Sequence, residues 1–228
     1  KNPFVKEIGL SWSGEIFLNP DIGKILKYAF EKGVVLDADG GVNLNSVSDD
    51  ILRDLVKYKV ASITVAIDGA SQGTYVKYRR RGNFKKVIKN IMTINKYKRQ
   101  YCLKLPVLSW QFIIFGHNEH EIPIARKLAA RLGMNFFTKL SWDKNFSPVR
   151  DPEFVKRATG NDFVSRKEYA FQSGEDYMDW VCHDLWDKPV INWDGNLFGC
   201  CKNKSMSFGN VFNSGLESVL KGEQYRYM

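Results

Sequence analysis

Three of the chain's four cysteines, Cys182, Cys200 and Cys201, lie near its C-terminal end, with His183 beside the first. Thiolates and imidazole are donors that iron–sulfur clusters and zinc take, so the grouping is candidate metal chemistry. Free cysteine also packs as a small hydrophobe, and spacing alone leaves both readings open. Twelve residues separate Cys182 from Gly195 and four separate Gly195 from Cys200, while Cys102 stands far upstream. Cys200 and Cys201 point to opposite faces if they share a strand, which leaves one of them placed to ligate. A second set of chemistry-bearing residues recurs along the chain: Ser13-Gly14-Glu15, Asp37 to Gly40, Asp68-Gly69, Gly116 to Glu119 and Lys139 to Trp142. Turn formation explains any one of these groups, but less comfortably all five.

The elements that would position them alternate strictly. Strands are predicted over Phe4 to Trp12, Val34 to Ala38, Ser62 to Asp68, Val107 to Phe115 and Asn135 to Ser141. Amphipathic helices follow over Asp21 to Lys32, Ser48 (as N-cap) to Tyr58, Phe84 to Arg99 and Glu119 to Leu132. Such an order predicts an α/β fold with a parallel sheet, either open or closed toward a barrel, that binds ligands at the C-terminal ends of its strands. The five groups above sit at those ends. Beyond Trp142, Pro148, Pro152, Gly160 and Gly174 break the pattern, leaving a linker with some helix around Asp151 to Arg157. Pro189 to Trp193, Asp194-Gly195 and Asn196 to Cys200 then predict a hairpin closed by a type I′ turn. The expected organisation is residues 1–145 as a partial barrel, 146–180 as linker and 181–228 as a small cysteine module.

The 228 residues carry 34 Lys and Arg against 25 Asp and Glu, for a net charge of +9, with 44% hydrophobic and 14% aromatic residues. That composition is globular. No run approaches the ~18 apolar residues of a membrane-spanning helix, no basic-then-apolar leader opens the chain, and four cysteines make no disulfide framework, so the expected compartment is the cytoplasm. The chain opens at Lys1 without Met and stops at Met228 in a helix-like stretch, which reads as a piece of a longer protein. Lys77, Arg79, Arg80, Arg81, Lys85 and Lys86 crowd together beside Tyr75 and Tyr78. The weightier reading is a solvated loop and first helical turn rather than a nucleic-acid contact, and the positive balance equally suits an acidic peptide or a phosphorylated sugar. His117 and His120 are expected at surface or cap positions.

The order of these segments resembles a radical S-adenosylmethionine (SAM) enzyme with a SPASM-type C-terminal extension, over nearly the whole chain. Leu10 to Pro20, around Ser13-Gly14-Glu15, is similar to the family's Gly-Gly-Glu-Pro loop. Ile63 to Ser71 is similar to its "ISLDG" strand, and Tyr75 to Arg79 with Gly82 to Phe84 to the helix that follows. Trp110 to Glu119 is similar to the next strand, and Cys182, Gly195 and Cys200 fit the opening half of the SPASM cysteine pattern.

The resemblance implies a partial TIM-like barrel in which a 4Fe–4S cluster, held by three cysteines, binds SAM and reductively cleaves it to a 5′-deoxyadenosyl radical. That radical abstracts hydrogen from a peptide, protein or small-molecule substrate, with flavodoxin or ferredoxin as electron donor. Carried over by position, Gly14 and Glu15 would meet the methionine amino group, Ser13 would line the same pocket where the family has Gly, Asp39 and Asp68 belong to the same rim, and Thr64 would supply a hydroxyl where Ala66 replaces the family's Ser. Arg79 would take the SAM carboxylate, and Gln111 and Glu119 would approach the ribose and adenine. Cys182, Cys200 and Cys201 would serve an auxiliary iron–sulfur cluster. No Cys-x3-Cys-x2-Cys triad occurs in these residues, so this chain alone is expected to be inactive, with the triad upstream of Lys1 and further SPASM cysteines beyond Met228. Two other readings remain: a non-catalytic iron–sulfur or zinc module, and a barrel enzyme for a phosphorylated metabolite. The last lacks a convincing Gly-rich phosphate loop and a clear acid–base pair.

Overall fold

Alternating residues along each strand divide polar from apolar, and this division builds the sheet. In the computed structural model, which describes residues 2–11, 14–143, 145–175, 177, 187–199 and 206–226, five strands form one parallel sheet in sequential order. They are β1 (Glu7–Gly9), β2 (Val35–Val42), β3 (Ser62–Ala66), β4 (Val107–Ile114) and β5 (Asn135–Leu140). The register aligns Asp37 with Ser62, Thr64 with Ser109, Ala66 with Gln111, and Gln111 with Phe137. Partners in register share a face, so one side of the sheet carries a polar row from Asp37 to Lys139. The opposite side presents Leu36, Ala38, Ile63, Val65, Leu108, Trp110, Phe112 and Ile114, all buried.

That apolar side is covered by α1 (Ile22–Glu31), α2 (Asp49–Lys57), α4 (Phe84–Gln100) and α5 (Ile122–Arg131). Their buried stripes, such as Leu52, Leu55 and Val56 on α2 and Val87, Ile91 and Ile94 on α4, join the strand residues in one core. Ser48 caps α2 by accepting from the Ile51 amide, with Asp49 and Asp50 in the first turn and Lys57 in the last. The expected partial-barrel architecture is borne out in this parallel α/β sheet.

Three boundaries differ from expectation for physical reasons. β2 continues through Gly40 and Gly41, which read as a stop, because the register shifts between Ala38 and Val42 and Gly41 absorbs the bulge at φ 96°. β1 pairs over only Glu7–Gly9 with β2. A helix, α3 (Gln72–Tyr78), occupies what reads as loop; Ser71 caps it by accepting from the Thr74 amide, and Thr74 and Tyr75 bury its inner side. Further along, α6 (Pro152–Thr159) and α7 (Arg166–Ser173) are each capped by a side chain, Asp151 and Ser165, and Val155 is fully buried in the main core.

By internal contacts, residues Lys6–Tyr177 form one compact unit, and Lys1–Val5 with Met178–Met228 form another. In the second, β6 (Val190–Ile191) and β7 (Leu197–Phe198) pair antiparallel, followed by α8 (Val211–Ser214), α9 (Leu216–Lys221) and α10 (Glu223–Arg226). The hairpin turn is not type I′, which needs positive φ at both central residues. Here positive φ falls on Gly195 alone, the Gly195 amide donates to the Asn192 carbonyl, and a three-residue loop with a glycine bulge results. Asp194 supports it by accepting from the Asn196 amide and the Asn192 side chain. A Cβ at position 195 would run into the Phe212 ring, so glycine is required there on two counts. Leu197, Phe208 and Val219 make this unit's small core.

Candidate functional site

The polar row and the loops leaving the strand ends bring most of the predicted residues onto one rim. Glu15 follows the β1 loop and caps a 3-10 turn over Ile16–Leu18. Its Oε1 accepts from the Phe17 amide at 3.2 Å and its Oε2 from the Asn43 amide at 2.7 Å. Burial raises its pKa, while the two amides and the Arg79 charge pull it back. Each oxygen keeps a second lone pair, so the carboxylate retains capacity for an ammonium. Asp39 on β2 accepts from Ser62 Oγ at 2.7 Å and from Thr64 Oγ1 at 3.2 Å, which ties three members of the polar row together.

Asp68 and Arg79 form the strongest pair. Asp68 is completely buried; its Oδ2 accepts from Arg79 Nε at 2.6 Å and its Oδ1 from the Ile113 amide at 2.7 Å. Burial raises the Asp68 pKa against the opposing pull of the guanidinium and the amide. Arg79, at the C-cap of α3, leans over the Tyr78 ring and commits Nε to Asp68. Its terminal nitrogens make no hydrogen bond to a described residue and stay available to an anion.

Gln111 is also buried, 5% exposed, and its Oε1 has no hydrogen-bond partner among the described residues. A Cβ placed on Gly41 would stand 3.2 Å from Gln111 Nε2 and 3.5 Å from the Ala66 methyl, so the glycine bulge leaves the amide its room. A buried carbonyl oxygen without a donor is costly unless a ligand supplies one.

Glu119, expected toward the ribose and adenine, is 6% exposed and bonded within the chain. Both its oxygens accept backbone amides, from Arg150 at 2.9 Å and Asp151 at 3.2 Å, and so hold the entry to α6. His117 is not a surface residue: it is 8% exposed, stacks on Phe115, and bonds through Nδ1 to Ser147 Oγ at 2.8 Å. Burial, then Lys77 and Arg150, lower its pKa, against Glu121. Because the unfolded chain then binds the proton more readily, stability contributed here is lost as pH falls below the ordinary value of ~6.5. An NMR titration of the His117 ring should give a midpoint below that value, and one at or above it refutes the assignment.

Asn118, a member of the polar group read after β4, and Glu121, which the sequence reading did not single out, complete the rim. Asn118 Nδ2 donates to the Asp68 and Ile113 carbonyls and its Oδ1 accepts from the Phe115 amide, which locks the ends of β3 and β4 together. Glu121 Oε2 accepts from the Ala70 amide at 2.6 Å. Their only signal was membership in the polar run after β4. Tyr75, paired with the basic run above, is 1% exposed and accepts from Asn45 Nδ2, so it offers no ring for a base to stack on. Ser13, Cys182, Cys200 and Cys201, with His183, lie outside the described residues. Among the described residues no cluster of three His, Cys, Asp or Glu could hold a metal, and no helix is long and apolar enough to cross a membrane.

Residues 182–228 match the model of the SPASM family, an iron–sulfur cluster-binding domain. The C-terminal segment is a SPASM match. The SPASM resemblance read from Cys182, Gly195 and Cys200 is thereby borne out. No curated protein matches the chain. Among solved structures it is similar to Streptococcus suis SuiB bound to S-adenosylmethionine, at TM-score 0.64 and 13% identity, over 95% of this chain and 55% of that one. It is likewise similar to SuiB bound to the precursor peptide SuiA, at TM-score 0.65 and 12% identity, over 96% and 55%. The chain's fold is thus similar to that of SuiB, and the chain spans about 55% of the SuiB chain's length.

Proposed function

We propose that this chain is the cofactor-holding part of a radical SAM/SPASM enzyme that acts on a peptide. The carrying observation is the buried Gln111 Oε1, without a partner among the described residues, in the cradle left by Gly41, on a rim that also holds Glu15 and the Arg79 terminal nitrogens. These groups fit an amino-acid-linked nucleoside: Glu15 accepts from the ammonium, Arg79 donates to the carboxylate, and Gln111 and Thr64 meet the ribose hydroxyls. When bound and reduced through an iron–sulfur cluster, S-adenosylmethionine supplies homolytic cleavage and hydrogen abstraction. The chain's own residues orient it, keep water from the sheet's polar face and anchor Arg79 through Asp68. SuiB with its precursor peptide supports a peptide or protein as substrate.

The test compares SAM binding by the full-length protein with that of Gln111→Leu. Leucine is one heavy atom smaller and removes the whole carboxamide, the buried carbonyl oxygen with it, so the variant should hold or raise the ligand-free melting temperature while its SAM affinity drops about tenfold. Unchanged affinity would place the nucleoside elsewhere. Formation of 5′-deoxyadenosine by the reconstituted, dithionite-reduced wild type would establish the reaction class.

A further inference from the structure

From Gly69 to Asn118 the sequence holds eleven Lys and Arg and no Asp or Glu, while the remaining residues carry 23 basic against 25 acidic side chains. The protein's positive charge is therefore a property of this segment, and α4 runs through its centre. On α4, Lys85, Lys89, Met92, Lys96 and Arg99 follow one another at steps of four, three, four and three residues, which places them on one straight stripe. This is the outer side of the helix, opposite the buried Val87, Asn90, Ile91 and Ile94. A groove of about 530 Å³ lies along it, floored by Phe84, Ile88, Met92 and Leu128 of α5, with the four cations at its rim. Met92 is 57% exposed, and none of the four cations forms a salt bridge among the described residues.

We propose that this groove docks an acidic amphipathic helix of a partner protein, its apolar side chains on the Ile88–Met92–Leu128 floor and its carboxylates against Lys85, Lys89, Lys96 and Arg99. Charge complementarity selects the sign of the partner, and the heptad-like stripe selects its form. The floor distinguishes it from a polyanion site. Nucleic acid would want exposed rings between the cations, whereas Phe84 is partly buried between Tyr75 and Trp110. A lipid surface would want apolar side chains that protrude rather than a concave strip. The surface belongs to the outer helical layer, and its occupancy does not depend on the strand-end chemistry.

The experiment measures fluorescence anisotropy of a labelled helical peptide with a leucine stripe flanked by glutamates, against the full-length protein. The same composition with the leucines scrambled serves as comparison. The amphipathic peptide should bind and the scrambled one should not, and Lys89→Glu/Lys96→Glu and Met92→Ser should each weaken binding about tenfold or more. All three positions lie on the outer side of α4, so circular dichroism and melting temperature should match wild type. Equal binding of the scrambled peptide would reduce the site to bulk charge and overturn the proposal. Displacement of the peptide at lower concentration by a DNA duplex or phosphatidylserine vesicles would assign the groove to another occupant, and undiminished binding by the variants would put the peptide elsewhere.

Discussion

Serine in place of both Cys182 and Cys200 is expected to lower the iron and sulfide content of the full-length protein by about one cluster. Serine removes the soft thiolate while preserving size, so the loss would report ligation rather than packing. Cys182 opens the segment that matches the SPASM model, and Cys200 follows two residues after β7. The hairpin between them is held by the Gly195 bulge, the Asp194 bonds and the Leu197–Phe208–Val219 core, to which neither cysteine belongs. Protein of unchanged melting temperature with reduced iron would support cluster ligation; unchanged iron and sulfide would remove both cysteines from the ligand set. Cys201 is the internal comparison, since Cys201→Ser should spare the cluster if only one of the neighbours faces it.

Asp68→Ala is expected to cost about 3 kcal/mol of stability, roughly 8 °C in melting temperature. The substitution strands two groups at once: the Ile113 amide loses its acceptor and Arg79 loses its buried partner. The low end of the range for broken buried pairs applies because the Arg79 side chain is 28% exposed and water can reach it. Asp68→Asn separates the two contributions, since its carbonyl oxygen can still accept from Ile113 while its charge is gone. It should fall between wild type and alanine. A loss under about 1 kcal/mol in the alanine variant would show that the pair is no keystone of the rim.

Much of this arrangement was legible from local pattern. The strand alternation that made Leu108, Trp110, Phe112 and Ile114 one face and Ser109 and Gln111 the other is written in the residue types and needs no tertiary information. The Ser48 cap could be read the same way. Less legible were features that depend on partners distant in sequence. Gly40-Gly41 reads as a break, and only pairing with β3 turns it into a bulge. Glu119 reads as a rim acid, and only the return of the chain at Arg150 and Asp151 buries it against two amides. His117 reads as a surface or cap residue, and the return of the chain at Phe146 and Ser147 closes over it where it stacks on Phe115.

By itself, then, the sequence determined the alternation of elements, the end of the sheet at which polar residues gather, the positive segment from Gly69 to Asn118 and the cysteine pattern that matches SPASM. These follow from periodicity and spacing, which act over a few residues. Tertiary structure alone decided which rim groups are committed and which are free. Asp68 is bonded to Arg79 and Ile113, Glu119 is buried against two amides, and Gln111 Oε1 meets no donor among the described residues. The reason is physical: a side chain's hydrogen-bonding capacity is settled by whichever donors the folded chain brings within about 3 Å, and those donors lie tens of residues away.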